Sequence, residues 1–193
     1  HWRHENNVYE VWQPATDAAV GLVGPCFWVD GQLWLSGGGF VVAVAGDEQG
    51  YEWGQSHMVE AGFRLFEPID QELVVGWGLD GAAYLLDLQN GGLEEIFIGD
   101  GVIQDLTVDP QGKIVWIADS RNRQLMRYDL IDESLVLVDS WSTSELVTEL
   151  VVDGLTGAVG TLENDEAGRS WLGLYAEGEL QDRHVVEGEA LSL

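Results

Sequence analysis

The chain has 193 residues and a formal net charge of −26 at pH 7, because 34 Asp and Glu side chains stand against only eight Lys and Arg. A field this negative repels nucleic acid backbones and anionic lipid headgroups, which argues against both as binding partners. Apolar residues make up 46% of the chain and nine residues are Trp, so the composition predicts a packed core and not a disordered segment.

The length fits one domain, and we expect a single domain over residues 1–193. No stretch approaches the roughly 18 consecutive apolar residues of a membrane-spanning helix, so we expect no direct membrane insertion. The single cysteine, Cys26, excludes an internal disulfide, and we expect it to be a buried thiol. The chain does not begin with Met, as after removal of a leader or in a segment from within a longer precursor. We expect an extracellular or periplasmic protein.

Short apolar runs bounded by Gly, Asp and Asn recur along the chain, while helical periodicity is nearly absent. "VYEVWQ" at 8–13 predicts one strand near the N-terminus. After it, four stretches begin alike: "VDGQLWLSG", "IDQELVVGW", "DPQGKIVWIAD" and "DGLTGAVGTLE". Aligning these stretches gives spacings of 40, 41 and 45 positions between four anchor residues, Leu33, Leu73, Ile114 and Val159.

Each repeat contains four short runs that predict strands. In the third repeat these runs are "IQDLTVDP", "KIVWIADS", "QLMRYDL" and "SLVLVDSW". Four strands per repeat of this length are typical of a β-propeller blade. We therefore predict an all-β protein, a β-propeller with four four-stranded blades at about 24–61, 62–101, 102–143 and 144–193, and an extra N-terminal strand near 8–13. A β-sandwich also fits short strands, but it does not predict the internal period.

Four blades lie at the low end of the usual range for propellers. Either the chain closes a small ring alone, or another copy or another chain completes the arc. The strand near 8–13 either completes the last blade or is the outer strand of a blade whose remainder is missing.

The third repeat carries a recognisable pattern: a D-P-x-G turn, a strand, A-D-S, a loop with Asn and Arg, and a strand ending in Tyr and Asp. The residues on this pattern are Asp109, Pro110, Gly112, Ala118, Asp119, Ser120, Asn122, Tyr128 and Asp129. The stretch resembles the repeat of NHL and YWTD-type propellers. The resemblance covers one repeat well, so it implies the propeller architecture and not a subfamily.

"VGPCFW", which begins at Val23, resembles the Glu-Gly-Pro-x-Trp stretch of calcium-dependent lactonases of the gluconolactonase type. In that family the Glu is a metal ligand, whereas here Val23 takes its place and Gln104 takes the place of a second acidic ligand. Valine cannot coordinate a hard cation. Asp105 and Glu149 lie close in register and are the candidate calcium ligands of a hydrolase or lactonase, the alternative function that the resemblance implies.

Aromatic residues and acidic loops supply the other candidate sites. We expect five tryptophans to pack between blades: Trp28, Trp34, Trp77, Trp116 and Trp171. Trp53 and Trp141 lie nearer the repeat edges and are the candidates for stacking on a carbohydrate. The acidic loops "AGDEQG" at 45–50 and "ENDEAG" at 163–168 offer oxygen ligands for calcium, but an acid-rich chain also produces such loops as solvated turns.

No nucleophile motif, P-loop or dinucleotide-binding motif occurs in the chain. The sequence therefore favours a non-catalytic propeller with no cofactor, acting as a protein-interaction or structural module, as in a subunit of a secreted or surface assembly. We expect a protein partner or self-association. A calcium-dependent hydrolase and a carbohydrate-binding propeller are the alternatives.

Overall fold

The computed structural model describes residues 2–5, 8–11, 24–37, 39–47, 50–59, 62–96, 100–109, 111, 113–176 and 179–186. Residues 2–5, 8–11, 45–47 and 50–53 are described as backbone only. All regular secondary structure in these ranges is β-strand. They contain no helix long and apolar enough to cross a membrane.

The strands form one two-stranded hairpin and four antiparallel sheets of four strands. The hairpin consists of β1 (Trp2–Glu5) and β2 (Val8–Val11). The first sheet consists of β3 (Cys26–Val29), β4 (Gln32–Gly37), β5 (Phe40–Asp47) and β6 (Gly50–Met58). The second consists of β7 (Phe63–Pro68), β8 (Leu73–Gly78), β9 (Ala83–Asp87) and β10 (Leu93–Ile96). The third consists of β11 (Ile103–Asp109), β12 (Ile114–Asp119), β13 (Gln124–Ile131) and β14 (Ser134–Ser142). The fourth consists of β15 (Leu146–Val152), β16 (Val159–Asn164), β17 (Ser170–Ala176) and β18 (Glu179–Val186).

Each four-stranded sheet is a simple meander, because every strand pairs with the next strand along the chain. The first strands β3, β7, β11 and β15 contact one another in succession and are therefore the inner strands. Four such sheets side by side are four blades of a β-propeller, which confirms the predicted fold class. The strand predicted near 8–13 corresponds to β2, which pairs with β1 and not with a strand of the fourth sheet.

Three apolar cores join successive sheets. The core between the first and second sheets includes Phe27, Trp34, Phe66, Val74 and Leu86. The core between the second and third sheets includes Val75, Leu85, Leu106, Val115 and Ile117. The core between the third and fourth sheets includes Trp116, Ala118, Leu125, Leu150 and Val159. The described residues form no such core between the fourth sheet and the first, so in the described part of the chain the four blades form an open arc.

Strand β12 shows why these runs are continuously apolar. Val115 and Ile117 pack toward the second sheet, while Trp116 and Ala118 pack toward the fourth. Successive side chains of a strand point to opposite faces, so a blade with neighbours on both sides needs apolar residues at every position.

The first sheet corrects two predictions. Trp28 was expected between blades but is 63% exposed, and Cys26 was expected to be buried but is exposed. Both lie on the face of β3 opposite to Phe27, which packs against the second sheet. No described sheet packs against the face that carries Trp28 and Cys26.

The Ala-Asp-Ser pattern of the third repeat is explained by the turn that follows β12. The Asp119 carboxylate accepts hydrogen bonds from the backbone N–H groups of Val102 and Arg121, both at 2.9 Å, and from the Asn122 side chain at 2.7 Å. It thus fixes the β12–β13 turn and holds the residue before β11. The D-P-x-G turn of the same repeat includes Pro110 and Gly112, which lie outside the described residues.

We predict that Ile117→Ala lowers the free energy of unfolding by about 2–5 kcal/mol, because Ile117 is fully buried between the second and third sheets. Leu155→Ala is the control, since Leu155 is 89% exposed and its truncation should change stability by no more than about 0.5 kcal/mol. Urea unfolding of the two variants measures both values. Equal effects would contradict the packing described for β12.

Candidate functional site

The inner strands carry the residues that the sequence singles out as metal ligands. Each of β7, β11 and β15 contains one β-bulge, between Phe63 and Leu65, Ile103 and Asp105, and Val147 and Glu149. The residue after each bulge pairs with the corresponding position of the second strand. Leu65, Asp105 and Glu149 are therefore equivalent positions in three successive blades, and bulges of this kind redirect side chains near functional sites.

Asp105 links the third blade to the fourth. Its Oδ2 accepts a hydrogen bond of 2.7 Å from the backbone N–H of Leu150 on β15. Burial raises the pKa of the Asp105 carboxyl above its usual value; the Leu150 hydrogen bond opposes this rise, and the nearby Glu149 charge adds to it. The carboxylate therefore satisfies a backbone donor of the next inner strand and lies within electrostatic range of a second acid.

Glu67, two positions after Leu65, makes a similar link between the second blade and the third. Its Oε2 accepts a hydrogen bond of 2.9 Å from the backbone N–H of Val108 on β11. Burial raises the pKa of Glu67, and the Asp105 charge contributes to the rise. The sequence analysis did not single out Glu67, although an acid within the apolar run "FRLFEP" indicates a buried carboxylate with a specific partner. Glu67, Asp105 and Glu149, which we call the inner-strand carboxylates, thus form a chain of acids coupled from one blade to the next.

The calcium prediction is only partly addressed by this geometry. The structure brings Asp105 and Glu149 into electrostatic range of each other. In the part of the chain that the structure describes, no group of three or more His, Cys, Asp or Glu side chains is arranged to hold a metal ion. Gln104 lies on β11 beside Asp105, and Val23 lies outside the described residues. The assignment of Asp105 and Glu149 as calcium ligands stays a prediction.

The two candidate carbohydrate residues lie in different environments. Trp141 is half-buried on β14, and its ring packs against Trp116 with 5.4 Å between the ring centroids. It therefore belongs to the margin of the core between the third and fourth sheets. Trp53 lies opposite Val44 in the β5–β6 register, and its side chain lies outside the described residues. The carbohydrate role of both residues stays a prediction.

The acidic loop at 163–168 is a hydrogen-bonded turn. The Asp165 carboxylate accepts hydrogen bonds from the backbone N–H groups of Ala167 and Arg169, both at 2.9 Å, and forms an ion pair of 2.7 Å with the Arg169 side chain. These partners lower the pKa of Asp165. The loop at 45–50 includes positions 48 and 49, which lie outside the described residues.

Glu163 is a buried acid that sequence reasoning did not single out. Its side chain is fully buried in the fourth sheet, where Oε1 accepts hydrogen bonds of 3.0 Å from the hydroxyls of Thr161 and Tyr175. The other oxygen, Oε2, lies 3.2 Å from Arg183 Nη2 without hydrogen-bond alignment. The Arg183 guanidinium in turn lies 4.4 Å from the centroid of the Trp171 ring. These partners compensate the buried charge, so the group is a structural support of the fourth blade.

Comparison with known proteins gives structural matches only. No protein family model and no curated protein matches the sequence. Hydrazine synthase of Kuenenia stuttgartiensis has a TM-score of 0.62 and 16% identity over 80% of this chain and 46% of that one. The dihydro-heme d1 dehydrogenase NirN, solved in complex with DHE, has a TM-score of 0.67 and 13% identity over 88% of this chain and 38% of that one. A candidate 6-phosphogluconolactonase from Bacteroides uniformis has a TM-score of 0.61 and 12% identity over 84% of this chain and 54% of that one.

The fold is that of a β-propeller. At these identities the matches establish architecture alone, and they do not single out the NHL or YWTD type. The chain spans about half the length of the solved propellers it resembles, or less.

We predict that Glu67 and Asp105 make stability fall as the pH rises. The folded-state pKa values of Glu67 and Asp105 lie above the ordinary 4.5 and 3.8, so folding favours their protonated forms. Their contribution to the free energy of unfolding is largest below those ordinary values and is lost as the pH rises through the raised folded-state values. Asp105→Asn keeps an acceptor for Leu150 and removes the charge, so its stability should depend less on pH between about pH 4 and 7. Urea unfolding across this range tests the prediction, and an unchanged slope would contradict it.

Proposed function

We propose that this propeller is a non-catalytic module that binds an extended segment of a partner protein along β14, as a subunit of a secreted or surface assembly. The observation that carries the proposal is the exposed apolar run on this strand. Val136, Leu137 and Val138 are 44%, 49% and 50% exposed, and β14 is the outermost strand of the third sheet. Soluble proteins seldom leave an apolar edge of this kind open to solvent without a use for it.

An outer strand has one row of backbone N–H and C=O groups that its own sheet does not satisfy. These groups pair with any chain that lies alongside in extended conformation, and the exposed side chains then select which segment binds. Strand β14 pairs with β13 from Ser134 to Ser142 with one register shift, at Val138, so it offers a long edge. An extended peptide therefore fits this edge better than a folded surface does.

The outer strands of the second and fourth sheets differ from β14. Strand β10 has four residues and includes Glu94 and Glu95. Strand β18 includes the exposed acids Glu179 and Asp182. Charged residues and short length are the usual protection of a sheet edge against pairing with other chains. Strand β14 has nine residues with one charged side chain, Asp139, and one bulge, so the third sheet has less of this protection.

The charge of the chain indicates the composition of the partner. With a net charge of −26, this propeller attracts segments that carry Lys or Arg beside their apolar residues. A structural match supports a role in protein binding in general: yeast Nup159, with a TM-score of 0.60 and 7% identity, is solved in a complex with Dbp5 and Gle1.

The test uses a displayed library of random peptides of about 12 residues, selected on the full chain. We expect the selected peptides to combine apolar residues with Lys or Arg and to protect the amides of β14 from hydrogen exchange. Leu137→Lys should weaken their binding at least tenfold, because it places a repelling charge in the centre of the edge. Leu155→Lys is the matched control, since it adds the same charge at an exposed leucine in the turn between β15 and β16. Peptides that protect other amides, or that bind Leu137→Lys as well as they bind the control, would refute the proposal.

The second candidate function is a calcium-dependent hydrolase, which the coupling of the inner-strand carboxylates favours. A cation that binds between adjacent acids reduces the repulsion between their charges, which contributes to the raised pKa values of Glu67 and Asp105. This candidate predicts a higher thermal midpoint in calcium than in EDTA. At a calcium concentration a hundred times Kd, binding should stabilise the folded chain by about 2.7 kcal/mol. Asp105→Asn should abolish the shift. Equal midpoints in calcium and EDTA would eliminate the candidate.

A further inference from the structure

We propose that two copies of this chain complete one propeller ring, each placing the open face of its first sheet against the open face of the other copy's fourth sheet. The proposal concerns the two ends of the arc. It does not depend on β14, so a failure of the function proposed above would leave it unaffected, and the reverse also holds.

The open face of the first sheet is mostly apolar. Its described side chains and glycine are Cys26, Trp28, Leu33, Leu35, Gly37, Phe40, Val42, Val44, Ser56 and Met58. Trp28 is 63% exposed, Phe40 is 46% exposed and Met58 is 80% exposed. Their strand neighbours Phe27, Trp34 and Val41 point the other way, into the core with the second sheet.

Internal blades bury this same face. Leu33 lies opposite Trp28 on the inner strand, as Val74 of the second sheet lies opposite Pro68. Val74 is fully buried against the preceding sheet, and Val115 of the third sheet is fully buried against its own preceding sheet. The first sheet therefore has the chemistry of a blade that follows another blade.

The open face of the fourth sheet is the complementary end. Leu162, which is buried, pairs with Leu172, and Gly160 with Leu174, on the face directed away from the third sheet. The same face also carries Glu149 opposite Leu162, and Asp182 and His184 opposite Leu174 and Leu172. Leu172 is 38% exposed, Leu174 is 43% exposed and Val151 is 49% exposed. In the third sheet the position equivalent to Leu172 is Leu125, which pairs with Ala118 and is fully buried against the following sheet. The fourth sheet thus has the chemistry of a blade that precedes another blade.

A second copy fits both ends at once, because each chain carries one face of each kind. Two copies supply eight blades, which lies within the range of propellers. Head-to-tail contacts between unlike faces form a closed ring when the rotation per copy closes, and otherwise an open chain of copies.

Charge determines the conditions under which the ring forms. Each copy carries −26, so the copies repel each other at long range. The described side chains of the first-sheet face include no charged residue, whereas the fourth-sheet face includes Glu149 and Asp182. Salt shortens the range of this repulsion from about 8 Å at 0.15 M to about 3 Å at 1 M and does not weaken apolar contacts. The dimer should therefore become more stable as the salt concentration rises.

Sedimentation equilibrium of the full chain at about 0.15 M and 1 M NaCl tests the ring. We expect a mass of twice 21.2 kDa that is favoured at high salt. Trp28→Glu and Leu172→Glu should each weaken the dimer roughly 30-fold or more, because each places a charge at the centre of both contacts. Leu137→Glu on β14 is the matched control and should leave the dimer unchanged.

Mixing the two disrupted variants distinguishes the ring from other dimers and shows that both are folded. A heterodimer of Trp28→Glu with Leu172→Glu retains one intact contact, so the mixture should recover dimer that neither variant forms alone. A monomer at both salt concentrations, masses beyond the dimer, a dimer unaffected by Leu172→Glu, or no recovery on mixing would each overturn the proposal.

Discussion

The structure depends on face-to-face stacking of blades, which covers both faces of the second and third sheets and one face of the first and fourth. A four-stranded sheet whose strands are apolar at successive positions, as β12 is, has two apolar faces. Alone in water it would expose both faces, so it needs neighbouring sheets to be stable. Stacking around an axis solves this problem for the second and third sheets, whose two faces are both covered. The first and fourth sheets have one covered face each. The composition of their free faces is the main clue to how the chain associates.

Polar contacts between blades are concentrated on the inner strands. Glu67 and Asp105 each accept a backbone N–H from the next inner strand, at Val108 and Leu150 respectively. These hydrogen bonds satisfy donors that would otherwise be buried without partners, and they hold neighbouring inner strands at a fixed offset. The same two acids have raised pKa values because they are buried among other acids. The two residues that link neighbouring inner strands are therefore also the ones whose charged forms are disfavoured by burial and by nearby acids.

The sequence predicted the period, the four strands per repeat and the all-β class, because turn residues and apolar runs recur locally. It did not predict which face a residue occupies, since a difference of one position reverses the face. The anchors Leu73 and Ile114 belong to cores with the following sheet, whereas the anchor Val159 packs toward the preceding one. The exposure of Trp28 and the burial of Glu163 depend on neighbouring sheets, which composition and spacing do not specify. Asp105 was singled out, but the Leu150 N–H that it binds is 45 positions away.

The meander within each sheet has a consequence for how the chain folds. Every strand pairs with the strand beside it in the sequence, so the first contacts of a blade close short loops at small entropic cost. We expect a single blade to form early as an unstable nucleus and to persist only once an adjacent blade docks on it. Folding then spreads along the chain in steps of one blade, as in other linear arrays, and the terminal blades unfold first.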